Sequence, residues 1–205
     1  MNKITRRLCL MAVPLAFAGF AASPSLAQQL SLGQVSDYLN SFVTAEGEFT
    51  QINADGTIST GRVFIKRPNR VRFEYNPPEE SLVVAGGGQV AVFDPRSDGD
   101  PDRYPLNQTP LKIILERNID LTQTNMVTGH TSDGTATTVT AQDPDRPEYG
   151  NIQMVYTADP VELRQWIITD DTGQQTTVIL GDLAKDGNVP DILFNIQREM
   201  RLWRN

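Results

Sequence analysis

Cysteine is nearly missing from this 205-residue chain: there is one, Cys9, inside an N-terminal apolar run. Disulfides, thiolate nucleophiles and cysteine-based metal sites are therefore excluded from everything beyond that run. Histidine is as scarce. His130 stands alone between Gly129 and Thr131, which removes the usual zinc sets and a Ser-His-Asp relay and makes His130 a surface residue. Basic clusters are lacking too. Residues 1–27 hold Lys3, Arg6 and Arg7 and no acid, so the remainder has 18 − 3 = 15 basic against 25 acidic residues, a net charge of −10. That balance argues against nucleic acid as a partner and against passive adsorption to anionic lipid. Gly86-Gly87-Gly88 lies between two strand patterns, so it is no phosphate cradle. Asp94, Asp98, Asp100 and Asp102 are interrupted by Pro95 and Pro101 and are followed by no suitably placed glutamate, which makes a solvated loop a better reading than a calcium loop. Paired carboxylates remain open in any chain with this many acids.

The longest apolar run, Leu8 to Ala22, is broken by Pro14 and Gly19 and is too short to favour a membrane span. With the positive residues before it and Ser25-Leu26-Ala27 after it, residues 1–27 read as an export signal cut after Ala27; a retained anchor is the alternative. Residues 28–205 are then expected to form a single domain, large enough for a real core.

Alternation dominates that domain. Val63 and Ile65 alternate with Arg62, Phe64 and Lys66, and Val71, Phe73 and Tyr75 with Arg72 and Glu74. A strand has a side-chain period of two, so each set shares one face. Turn signals separate the runs: Asn53-Ala54-Asp55-Gly56, Arg67-Pro68-Asn69, Asn76-Pro77-Pro78 and the glycines at 86–88. Strands are predicted at 45–52, 57–66, 71–75, 81–85, 89–93, 102–106, 123–130, 135–141, 150–157, 162–170 and 174–181. The 61–93 stretch reads as a meander with one greasy and one wet face. Helices are predicted over Leu30–Val43, with Leu32, Val35, Leu39, Phe42 and Val43 on one stripe, and over 109–116, where Thr109 caps and Pro110 starts. Pro190 to Ile196 is a short helical or extended segment. The fold class is therefore α+β, mainly β: an antiparallel sheet curled into a barrel or partial barrel with helices on its concave face. A fully packed sandwich is the alternative.

No catalytic constellation emerges, so the apolar side chains carry the chemistry. Val63, Ile65, Val71, Phe73, Tyr75, Leu82, Val84, Val90, Val92, Ile152, Met154, Trp166 and Ile168 are candidates to line the concave face, with Leu111, Ile114 and Leu115 on the lid above it. For each, plain core packing is the competing reading.

The run Lys66-Arg67-Pro68-Asn69, the strand ending Phe73-Glu74-Tyr75, Pro77-Pro78-Glu79-Glu80-Ser81-Leu82-Val83-Val84 and Phe93-Asp94-Pro95 resemble the periplasmic outer-membrane lipoprotein carrier family, LolA. So do Thr109-Pro110-Leu111 and the late stretch Leu163 to Gln174. The resemblance implies an incomplete antiparallel β-barrel, open at one side, with α-helices as a lid over a hydrophobic cavity. It implies no enzyme activity and no cofactor. The implied role is that of a monomeric shuttle in the periplasm. Acylated lipoproteins would be its cargo, an inner-membrane lipoprotein-releasing ABC transporter its donor, and an outer-membrane receptor or the membrane its acceptor. Arg67 matches the family arginine that latches the lid through backbone carbonyls; Val71 and Phe73 match positions on the ligand path. The segment after Phe194 departs from the best-known members, lacking their proline- and glycine-bearing extension. An envelope lipid or lipoprotein sensor without a shuttle role is the alternative function, and a carboxylate-dependent hydrolase a third.

Overall fold

The computed structural model describes residues 28–123 and 125–204, so the expected export signal lies outside the described residues. Strand β1 (Thr44–Ile52), β2 (Ile58–Lys66), β3 (Arg70–Tyr75), β4 (Leu82–Gly86), β5 (Gln89–Phe93) and β6 (Asp102–Pro105) form one antiparallel meander. Strand β7 (Val127–Ser132), β8 (Ala136–Gln142), β9 (Asn151–Ala158), β10 (Val161–Thr169) and β11 (Gln175–Leu180) form a second. The two join where β1 pairs with β11, Phe49 opposite Leu180, and the short β12 (Ala184–Lys185) also pairs with β1. The order is β6-β5-β4-β3-β2-β1-β11-β10-β9-β8-β7. Among the described residues, β6 and β7 each pair with one neighbour, so the curled sheet is not closed.

Helix α1 (Leu32–Asn40) lies on the concave face. Ser31 caps it in a capping box with Gln34, and Val35, Tyr38 and Leu39 turn one stripe into the core. The expected helix at 109–116 is instead a 3-10 segment, Pro110–Leu115. At about three residues per turn it cannot hold one narrow α stripe, and it buries Ile113 along with Leu111, Ile114 and Leu115.

The meander is not greasy on one side only. Phe64, Leu82, Val84, Ala91 and Phe93 form a second core on its outer face, covered by Val189, Phe194 and Ile196. The cover is a 3-10 turn, Asp191–Phe194, followed by helix α2 (Ile196–Trp203), which extends past the expected segment Pro190 to Ile196. Leu82-Val83-Val84-Ala85 is a continuous apolar run, the mark of a strand buried on both faces. Arg72 and Glu199, both buried, meet at 3.5 Å beneath this cover, and Lys66 and Arg70 reach Asp191 at 2.6 and 2.7 Å. Gly86 is required here: a Cβ would collide with the Phe194 carbonyl.

Candidate functional site

The concave face gathers most of the expected lining. Val63, Ile65, Val71 and Phe73 of β2 and β3, Val90 of β5, and Ile152, Met154 and Trp166 of β9 and β10 are buried in one core with α1 and with Leu111, Ile114 and Leu115. Tyr75 and Ile168 pack half-buried at its margin. Leu82 and Val84 do not belong to it. Strand parity turns them outward under α2, and Val83 and Ala85 face inward in their place. Val92 is half-buried and joins neither core.

Strict alternation would set Leu163 opposite Trp166, yet both are in the concave core. A β-bulge explains it: Leu163 pairs with Tyr156 and Gln165 with Val155, so Arg164 is the extra residue and the parity flips. Tyr156, Phe49 and Ile113 also belong to this core. Tyr156 was legible from its period-two spacing with Ile152 and Met154. The rings lock edge to face, Phe73 at 5.3 Å from Phe49 and 6.2 Å from Trp166.

Arg67, in the turn between β2 and β3, is buried and donates from Nη2 to the carbonyls of Leu39 and Phe42 at the end of α1. Its guanidinium also stacks 4.8 Å over the Phe42 ring. Carbonyls at a helix C-terminus carry partial negative charge and suit a cation. Burial pulls the Arg67 pKa below its ordinary value, and the Asp186 charge opposes that pull. The same turn makes further ties: Arg67 N donates to Val43 O at 2.9 Å and Asn69 N to Leu115 O at 2.8 Å. Helix α1 is in turn tied to the strand-free stretch that crosses the open side. The Asn40 amide bonds both polar groups of the Ile119 backbone, at 2.7 and 3.0 Å, and Ser36 Oγ accepts from Leu121 N at 2.9 Å. The helix and residues 110–121 thus form one cover held to the wall at the 66–70 turn.

Two clefts flank the 110–115 segment. One of about 340 Å³ is lined by Ile113, Met126, Pro144 and Tyr149; the other, of about 470 Å³, by Val90, Leu111, Tyr149 and Ile168. Several carboxylates held below their usual range are exposed turn residues. Hydroxyls of Thr57, Thr122 and Thr172 stabilise the charged forms of Asp55, Asp120 and Asp170, respectively. Among the described residues no group of three or more His, Cys, Asp or Glu is placed to hold a metal ion, and no helix is long and apolar enough to cross a membrane.

Fold and site together define one class: a split, curled antiparallel sheet whose apolar concave face is closed by a tied cover. The family follows from comparison with known proteins. A family model described as outer membrane lipoprotein carrier protein LolA matches residues 40–197, and the chain belongs to that family. An outer-membrane lipoprotein carrier protein of Azotobacter vinelandii is 30% identical over 86 residues, 40% of this chain and 42% of the relative. The match thus spans less than half the length of that relative. The protein of the same name from Chromohalobacter salexigens is 25% identical over 195 residues, 89% of this chain and 91% of its own. Among solved structures, a putative outer membrane lipoprotein-sorting protein domain from Vibrio parahaemolyticus superposes with a TM-score of 0.48 at 10% identity, covering 83% of this chain and 97% of that one.

Proposed function

We propose that this chain is a non-enzymatic periplasmic carrier that takes the acyl chains of lipoproteins onto its concave face and passes them from the inner to the outer membrane. An inner-membrane ABC transporter is its donor, and an outer-membrane receptor or the membrane itself its acceptor. It works as a monomer. The observation that carries this reading is the Arg67 contact with the Leu39 and Phe42 carbonyls. It fastens a greasy cover over a greasy wall by a few polar bonds, which is what a releasable latch needs. Family membership and the export-type N-terminus support the compartment and the cargo.

The magnitudes favour a lid over a permanent pocket. A buried chain of about fifteen methylenes contributes ~12 kcal/mol at ~0.8 kcal/mol each. Several together would exceed the non-covalent ceiling of about 20 kcal/mol, and a carrier that held them all fully could not let go. Hydrogen bonds to a charged group are worth about 1.5–3 kcal/mol, the right order to be traded against part of one chain.

The test uses the two tryptophans, Trp166 in the concave core and Trp203 on the outer one. The mature protein is mixed with a triacylated lipopeptide and followed by native mass spectrometry and fluorescence. The expected result is a lipopeptide adduct, a changed emission in Trp203→Phe, where only Trp166 reports, and an unchanged one in Trp166→Phe. An unliganded mass at every concentration would overturn the reading. Adduct formation without delivery to outer-membrane vesicles would leave a sensor in place of a shuttle.

A further inference from the structure

Two polar donors of the concave core, on the neighbouring strands β9 and β10, lack a strong acceptor. Trp166 is fully buried, and its indole N–H has no acceptor. The Phe73 ring, with its centroid 6.2 Å away and edge-on, is at best a weak acceptor. Tyr156 is also fully buried, and among the described residues its hydroxyl bonds only the sulfur of Met154, at 3.3 Å. A thioether is a poor acceptor. On the β9–β10 ladder the two lie diagonally about Met154: Trp166 pairs with Met154, and Tyr156 follows two residues on along the same face. Burial and the neighbouring Tyr38 push the Tyr156 pKa well up, so the hydroxyl keeps its proton.

A buried donor without a partner destabilises a fold by about 1–3 kcal/mol, and phenylalanine would supply similar packing without that penalty. The Trp166 N–H therefore has an unfilled role, and the Tyr156 O–H, held by a thioether, is open to a better acceptor. We propose that Trp166 N–H and Tyr156 O–H form a carbonyl-binding subsite that receives the neutral ester or amide carbonyls of an acylated ligand once the cover lifts. This rests on the acyl-carrier reading and adds a polar specificity to it. Alkyl chains offer no acceptor, so only the linkage end of an acyl ligand can satisfy these groups. Seating that end fixes how deep the chains run. Two uncharged donors suit an ester or amide carbonyl rather than a free carboxylate, which would call for a cation.

The test compares a diacylglyceryl lipopeptide with its diether analogue, which has the same alkyl chains but lacks the ester carbonyls. Binding is measured by calorimetry to the mature protein and to Trp166→Phe and Tyr156→Phe. Wild type should prefer the ester about five- to tenfold, the worth of one neutral hydrogen bond. Each variant should lose that preference and hold the diether as before. In infrared spectra the ester stretch should move to lower frequency in wild type and less so in Trp166→Phe. Equal affinity of wild type for ester and diether, or an unchanged ratio in both variants, would overturn the subsite while leaving the carrier intact. So would a stronger preference for free palmitate that Trp166→Phe abolishes. Failure of wild type to bind either lipopeptide would remove the carrier reading and the subsite with it.

Discussion

Arg67 bonds through one nitrogen, while its Nε and Nη1 are buried without partners. Both carbonyls are reached from that one nitrogen, and the planar guanidinium stacks on the Phe42 ring as well, a stacked contact that lysine's ammonium does not reproduce. Arg67→Met and Arg67→Lys should each raise amide hydrogen exchange by about tenfold or more around Leu39 to Val43, with β9 and β10 unaffected. Exchange mass spectrometry reads this directly, and unchanged protection of α1 would show that the apolar contacts alone hold the cover. Tyr75 is a second residue with a measurable signature. Burial raises its pKa to about 12, partly offset by the hydrogen bond to Gln51. A neutral group favoured in the folded state stabilises below its unfolded value of about 10 and ceases to do so as pH rises through about 12. The urea midpoint should thus hold up to about pH 10 and fall between 10 and 12, less steeply in Tyr75→Phe. Tyr156 keeps part of the fall in that variant.

At the scale of elements, what the sequence announces depends on whether one physical rule acts alone. The strands of both meanders follow from alternation and turn residues, and most observed bounds fall within a residue or two of the expected ones. Where a second rule intervenes, the reading bends. The bulge at Arg164 is invisible in the alternation and moves Leu163 to the inner face. The apolar run at 82–85 could be divided between faces only by knowing that something covers the outside. The covering helix did leave a trace, since Ile196, Met200 and Trp203 stand at i, i+4 and i+7, but arginines between them mask the stripe. That element makes its own prediction. Glu199 faces Arg72 at 3.5 Å, Arg198 at 2.7 Å, and little water. Glu199→Ala should destabilise the chain by about 2 kcal/mol: Arg72 keeps Glu74 at 2.6 Å and the Leu193 carbonyl at 3.0 Å but loses the carboxylate that α2 supplies. Asp191→Asn, on an exposed pair, should cost under about 1 kcal/mol. Chemical denaturation separates the two, and near-equal effects would mean that the buried pair is not what holds α2 down.

For the molecule as a whole, the 66–70 turn links the faces: Arg67 and Asn69 hold the inner cover, while Lys66 and Arg70 hold the C-terminal segment through Asp191. Gly86→Ala, which forces Phe194 away, should therefore loosen the cover as well, seen as faster exchange at Leu39 to Val43 and at Leu115. Confinement of the change to residues 189–204 would show that the two sides are independent. The unpaired margins of β6 and β7 have a consequence of another kind. A sheet closed on itself is a hoop, with a girth fixed by its strand number and stagger. It widens only by breaking a ladder from end to end. A split hoop can spread at its seam with every ladder intact, the crossing segment 106–123 yielding like a gusset. Girth then varies with the bulk of what is enclosed, and one wall can fit contents of different thickness without any strand changing its neighbour.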